Sequence, residues 1–419
     1  MRLERPFIFV AVCHLFTANA QANTLPALAI SDSVHVPWEC PDSSEAFGRL
    51  WSTMDSIQSH QSCTLTILYI GGSHVQSGWI GHEMRRSLAK WAPQAEMSRG
   101  MHLPYRLAQT NTPTHFRTEF SGHWTASRCT RSIGQAPCEA APIATGILAY
   151  PAGVATIQHV SYLPDSSRTA CSALEIWTNA QRSQWRWTGN AALDTCYRLA
   201  DQLGWQLKLA APADTLALTF FAQEATDVWY AGMSDLKTSS RSRIAFHEWG
   251  HNGLRARHAA ALDGWEALLH RVQPDLIFVG IGLNDAVDGE RLNLESFAAY
   301  YAALTSELRA SGAAIVLLGN TPAAYGHTSL AKPSKLIGSW LQQHSASNAM
   351  TYLDVTTALG GPDIPTEWME NGRMQPDGMH FTAAGYAAFA RVLFEAWISA
   401  YSDAKKAPSL NGAADTNQE

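Results

Sequence analysis

An α/β fold, in which helices cover a parallel sheet and a β-rich insertion interrupts the chain, is what the sequence predicts. Three observations carry that expectation. Apolar runs of strand length recur at 65–70, 244–247, 276–280, 314–319 and 352–355, each bounded by turn residues, as expected of strands buried on both faces. Those beyond the middle of the chain alternate with helical patterns, the arrangement that crossover helices give to parallel strands. Between 105 and 241 the helical periods fade, and alternating segments appear at 173–177, 184–187, 205–209 and 215–221.

Each element follows from local chemistry. Arg2 and Arg5 precede a short apolar stretch at 7–16, and Ala18-Asn19-Ala20 or Ala20-Gln21-Ala22 supplies small residues for cleavage. Residues 1–22 therefore read as an export signal and are set aside from the fold. Val12, rather than Gly or Ala, precedes Cys13 and argues against a lipoprotein. Export makes the six remaining cysteines disulfide candidates, and their spacing favours sequential neighbours: Cys40–Cys63, Cys129–Cys138 and Cys171–Cys196. The first strand ends in Ile70-Gly71-Gly72-Ser73-His74, after which 79–91 repeats Trp79, Met84, Leu88 and Trp91 on one helical side. Arg85 and Arg86 on that helix are expected to face solvent.

A second helix, 294–309, carries Phe297, Tyr300, Tyr301, Leu304 and Leu308 toward the core, and Thr382 can cap a final helix with Tyr386, Phe389, Leu393 and Trp397 inward. The expected organisation is a discontinuous α/β domain (23–104 and 242–401), an inserted β-rich sandwich (105–241) and a polar, disordered tail (402–419). The insertion contains Trp124, Trp177, Trp185, Trp187, Trp205 and Trp229. Their flat faces suit stacking on sugar rings; the simpler account is that most of them fill the insertion's own core.

Composition removes several functions. With 419 residues, 46% hydrophobic and 16% charged, the chain can bury one large core or two ordinary ones, which excludes wholesale disorder. No apolar run approaches the roughly 18 residues of a membrane span. Thirty basic against 36 acidic side chains give a net charge of −6 without a long block of either sign, so nucleic acid is not an expected partner.

Four blocks carry chemistry. Ser73 stands at the carboxyl end of the first strand, where open α/β sheets place ligands. Pro376-Asp377-Gly378-Met379-His380 offers a base and an orienting carboxylate, both of which a serine nucleophile requires at neutral pH. Gly280-Ile281-Gly282-Leu283-Asn284-Asp285 ends the central apolar strand, and the Asn284 amide can donate to an oxyanion. Gly253, in His251-Asn252-Gly253 after the second predicted strand, can present a backbone N–H to the same oxygen. Turn chemistry alone also accounts for Asn and Gly at strand ends.

The ordered set Ser, Gly, Asn, Asp-x-x-His resembles the SGNH subgroup of the GDSL hydrolase superfamily over the α/β portion. That resemblance implies a flavodoxin-like, three-layer α/β/α sandwich with a five-stranded parallel sheet. It further implies Ser73 as nucleophile, His380 as general base, Asp377 as its orienter, and an oxyanion hole of the Ser73 amide, Gly253 and Asn284, with no metal or cofactor. The family carries Asp where this chain has Gly72. An exported member with Ser-His in its first block and a β-rich insertion is similar to bacterial peptidoglycan O-acetylesterases, which implies an O-acetylated glycan as partner and an acetyl-Ser73 intermediate.

Three other readings compete. The same serine would serve an O-acetyltransferase, with a sugar in place of water as acceptor. An eroded hydrolase fold would serve as a glycan-binding protein. His247-Glu248-Trp249-Gly250-His251 matches the H-E-x-x-H pattern of zinc hydrolases. That pattern needs a helix, whereas 243–246 reads as strand and Gly250 and Gly253 would break a helical turn; Leu254 and Arg257 also stand where the extended motif requires Gly and His. Without zinc, both histidines are expected at the rim of the serine site.

Overall fold

The computed structural model describes residue 38 and residues 44–130, 141–162, 166–223, 227–236, 241–326 and 328–406. The expected export signal, Cys13, Cys40 and Cys138 lie outside the described residues.

Among the described residues, six strands, all parallel, form the central sheet in the order Thr351–Leu353, Ala314–Leu318, Leu276–Gly280, Thr64–Gly71, Arg243–Gly250, Glu96–Ser98. The predicted count of five is thus corrected to six. The added strand has three residues, one exposed and one half-buried, too short to show periodicity in sequence. Without it the order is the flavodoxin-like 2-1-3-4-5, whose topological switch point lies between the first strand and Leu276–Gly280. Gly71 pairs there with Gly280 on one side and Gly250 on the other.

Strand alternation divides the core. Leu65, Ile67, Tyr69, Phe246, Phe278 and Val316 face the helices Glu45–Gln58, Trp79–Trp91 and Ala383–Lys406. Leu68, Ile70, Trp249, Val279 and Leu317 face Trp265–Val272, Leu294–Arg309 and Ala331–Ala346. The three-layer sandwich follows, because each strand is apolar on both sides. Asn293 caps Leu294–Arg309 by accepting from the Ser296 amide at 2.9 Å, and Thr382 accepts from Gly385 at the start of the last helix.

That last helix runs to Lys406, so the expected disordered tail does not begin at 402. Tyr401 and Lys405 both reach Asp55 on the first helix, at 2.5 and 2.7 Å, and anchor the polar end. Arg85 is a second correction. It is buried and pairs with Glu248 at 3.0 Å, with Arg99 joining the same carboxylate oxygen at 3.3 Å. Only Arg86 is exposed, against Glu83.

Strands from Met101–His102 to Tyr230–Asp235 build a second, nine-stranded sheet, antiparallel throughout and branched at Ile147–Ser161 and Tyr230–Asp235. The expected sandwich is therefore one hydrogen-bonded sheet around an aromatic core. Trp177, Trp185, Trp187, Trp205 and Trp229 are all buried in it, and Trp124 is half-buried, so the core-filling account holds for five of the six. The core continues into the Trp249 face of the parallel sheet, where the Trp249 indole donates to the Ala144 carbonyl at 2.6 Å.

Cys171 and Cys196 are free thiols, so that expected disulfide is absent. Cys171 sits opposite Ala213 and Cys196 opposite Leu207, on two different neighbours of the same strand, Gly204–Ala213. Six residues of extended chain span about 20 Å, far beyond the ~7 Å Cα limit for a bridge.

Candidate active site

Ser73 opens a one-turn helix, Ser73–Gln76, directly after the first strand. The turn is held without an aspartate at Gly72. The Gln76 amide donates to the Gly72 carbonyl (3.0 Å), the Ser77 amide to Ser73 (2.9 Å), and the His251 amide to Gly71 (3.0 Å). A Cβ on Gly250 would stand 2.2 Å from the Gln76 nitrogen. Only glycine there allows the nucleophile turn to lie against the second strand of the site.

His380 arrives from the loop before the last helix. Its Nε2 lies 2.9 Å from Ser73 Oγ, and its Nδ1 lies 2.6 Å from Asp377 Oδ2. Asp377 also accepts the Met379 and His380 amides, each at 2.9 Å. Partial burial would raise the Asp377 pKa, but the hydrogen bonds from His380 and Met379 outweigh it and hold the carboxyl well below the usual range. The carboxylate therefore accepts Nδ1–H, which leaves Nε2 to accept the serine proton. Sites 307 residues apart in sequence meet in this way.

Beside Ser73 lies a cavity of about 40 Å³ whose lining includes Gly72, Leu254, Gly282, Asn284, Asn320 and Thr321. Asn284 is half-buried there, its amide anchored on the Leu254 carbonyl at 3.0 Å. Gly253 adopts φ +76°, a left-handed turn conformation that favours glycine, and lies exposed next to Leu254. The structure thus brings Ser73, Asp377, His380 and Asn284 together, with Gly253 in the adjoining turn. The sequence places His74 and Gln76 close enough to Ser73 to touch a substrate but assigns them no role, and it singles out neither Asn320 nor Thr321. Asn320 and Thr321 follow the strand Ala314–Leu318, and the position of that strand end is the signal that points to them.

His74 is packed against His380, Phe381 and Tyr386, with Nε2 at 3.4 Å from Thr321 Oγ1. Burial, then the neighbouring His380, push its pKa down to about 3, so the ring is neutral beside the relay.

The first four residues of the H-E-x-x-H segment lie on strand Arg243–Gly250 and His251 follows it, so the segment is not helical. Strand alternation sends His247 and Glu248 to opposite faces, and Glu248 is committed to Arg85 and Arg99. His247 and His251 are both buried, not at the rim of the serine site; His251 Nε2 bonds the Thr145 carbonyl of the insertion at 3.0 Å.

Comparison with known proteins bears on the fold. Residues 222–388 match the GDSL-like lipase/acylhydrolase family. A solved structure of a peptidoglycan O-acetylesterase superposes with TM-score 0.65 and 16% identity, covering 86% of this chain and 98% of that one. An acetylxylan esterase from Geobacillus stearothermophilus, solved as a catalytic mutant, aligns with TM-score 0.31 and 17% identity over 36% of this chain and 72% of its own. A carbohydrate esterase family 3 structure from Talaromyces cellulolyticus aligns with TM-score 0.30 and 21% identity over 38% and 72%. No curated protein sequence matches the chain significantly.

Proposed function

We propose that this chain, an SGNH-type serine esterase by its fold and its GDSL-like segment, is exported and removes O-acetyl groups from a polysaccharide, with peptidoglycan as the substrate. The observation that carries this reading is the unbroken relay Asp377–His380–Ser73 beside the Asn284 amide. Ser73 Oγ attacks the acetyl carbonyl while Nε2 takes its proton, and the resulting oxyanion is stabilised by the Ser73 and Gly253 amides and by Asn284. His380 then protonates the departing sugar oxygen, leaving acetyl-Ser73. Water, deprotonated by the same nitrogen, attacks that ester, and Nε2 returns the proton to Ser73 Oγ as the bond to the acetyl carbon breaks and acetate leaves.

The peptidoglycan O-acetylesterase that shares the fold, together with the export-like residues 1–22, supports a cell-wall glycan as substrate and a site of action outside the cytoplasm. Acetate release from O-acetylated peptidoglycan and from O-acetylated xylan, assayed side by side, tests the proposal. The expected result is faster release from peptidoglycan, with Ser73→Ala lowering kcat by about 10⁶. Retained activity in Ser73→Ala would remove Ser73 from the reaction, and preference for xylan would replace the glycan.

A further inference from the structure

We infer that Gln76 is a positioning residue for the oxyanion hole, clamped in place by the β-rich insertion. Its side chain is buried, and every polar atom on it is used. Oε1 accepts the Asn252 amide at 2.5 Å, while Nε2 donates to Thr110 Oγ1 at 2.8 Å and to the Asn111 carbonyl at 2.7 Å. Asn252 closes the ring by donating its own side-chain amide to Thr110 Oγ1 at 3.3 Å. One carboxamide therefore joins three pieces of chain: the helix that begins at Ser73, the turn that contains Gly253, and the 110–111 segment leading into the insertion's long strand Phe116–Arg128.

The consequence for chemistry lies in the turn. An oxyanion donor must sit within a few tenths of an ångström of its working position. Asn252 N–H is one residue from Gly253 N–H, and Gly253 has no side chain with which to fix its own orientation. With Asn252 N–H tied to Oε1, the His251–Asn252 peptide plane is set relative to Ser73 itself, because Gln76 and Ser73 share one helical turn, and the Asn252 side chain on Thr110 Oγ1 holds the residue that leads from that plane to the Gly253 N–H. The insertion holds the same turn from its other side, through the Thr145 carbonyl on His251 Nε2. The β-rich insertion thereby acts on catalysis as well as on the fold, by immobilising a backbone donor through Gln76 and Thr110.

This inference rests on the esterase reading, and kinetics per active molecule separate the two. Gln76→Met keeps the length of the side chain and removes all three hydrogen bonds, and Thr110→Val keeps shape and removes the hydroxyl. Active molecules are counted by labelling Ser73 with a phosphonate, and turnover of an acetate ester is expressed per labelled serine. The expected result for Gln76→Met is a kcat per labelled serine lowered about 10- to 100-fold with KM within about twofold, and phosphonylation slowed by a similar factor. Thr110→Val should show the same pattern more weakly, and should decide the matter if Gln76→Met fails to fold. Gln76→Glu, which keeps the acceptor for Asn252, should recover part of the loss. A residue that merely stabilised the fold would reduce the number of labelled molecules and leave each at the wild-type rate, and that outcome overturns the inference. A wild-type chain that neither labels nor turns over overturns the esterase reading, and the inference with it.

Discussion

Asp377 shows how much a single side chain decides. Its carboxylate fixes the imidazole tautomer through the 2.6 Å contact to Nδ1; an amide in its place can donate to that nitrogen and would turn the ring's acceptor the wrong way. Asp377→Asn should therefore lower kcat by about 10⁴ with little change in KM, read from initial rates on an acetate ester; a loss under tenfold would mean that the tautomer is fixed by something else. Ser73, Asp377, His380 and Asn284 were legible in the sequence because their chemistry is carried by residue type at a strand end or turn. Gln76 was legible as a neighbour of Ser73 but its role was not, since that role is defined by a backbone amide 176 residues away. Arg85 was misread as solvent-facing because its partner, Glu248, lies on a strand 163 residues further on.

Among the elements, the strand Arg243–Gly250 bears the most. It supplies Phe246 to one face of the core and Trp249 to the other, and Glu248 to a buried cluster with Arg85 and Arg99. Glu248→Gln would leave two guanidinium groups without a compensating carboxylate, an uncompensated buried charge worth about 3–5 kcal/mol of stability. A fall in the urea midpoint of matching size checks this, and an unchanged midpoint would show that the cluster is solvated. Five of the six parallel strands and the helices at 79–91 and 294–309 were legible from periodicity. Glu96–Ser98 was invisible because three residues are less than two alternations, and the last five helical residues were hidden by their polarity. The apparent zinc motif is explained at this scale too, since a strand cannot place His247 and Glu248 on one side.

At the scale of the whole molecule, two sheets share one core, and their junction is rich in buried histidine. Desolvation, the first cause in each case, pushes His74, His82, His247 and His251 down to about 3 and His102 to about 4. The folded chain thus binds fewer protons than the unfolded chain between these values and the ordinary 6.5. Their contribution to stability is complete above about pH 6.5 and is lost as pH falls toward 4 and 3. Thermal melts should show Tm constant near neutrality and falling progressively below pH 6.5; a Tm that holds to pH 4 would contradict neutral burial of these rings. The insertion was legible as β-rich, whereas its continuity with the catalytic core was not, because a shared core leaves no mark in local sequence pattern.

The central claim is that Ser73 is the nucleophile of an acyl transfer driven by His380 and Asp377. The measurement that tests it most directly is peptide mapping by mass spectrometry after treatment with a serine-directed phosphonate, alongside acetate release. The account predicts one adduct, on the peptide bearing Ser73, with acetate release lost in proportion to labelling. An enzyme that still releases acetate with Ser73 fully modified, or that carries its adduct on another serine, would contradict it.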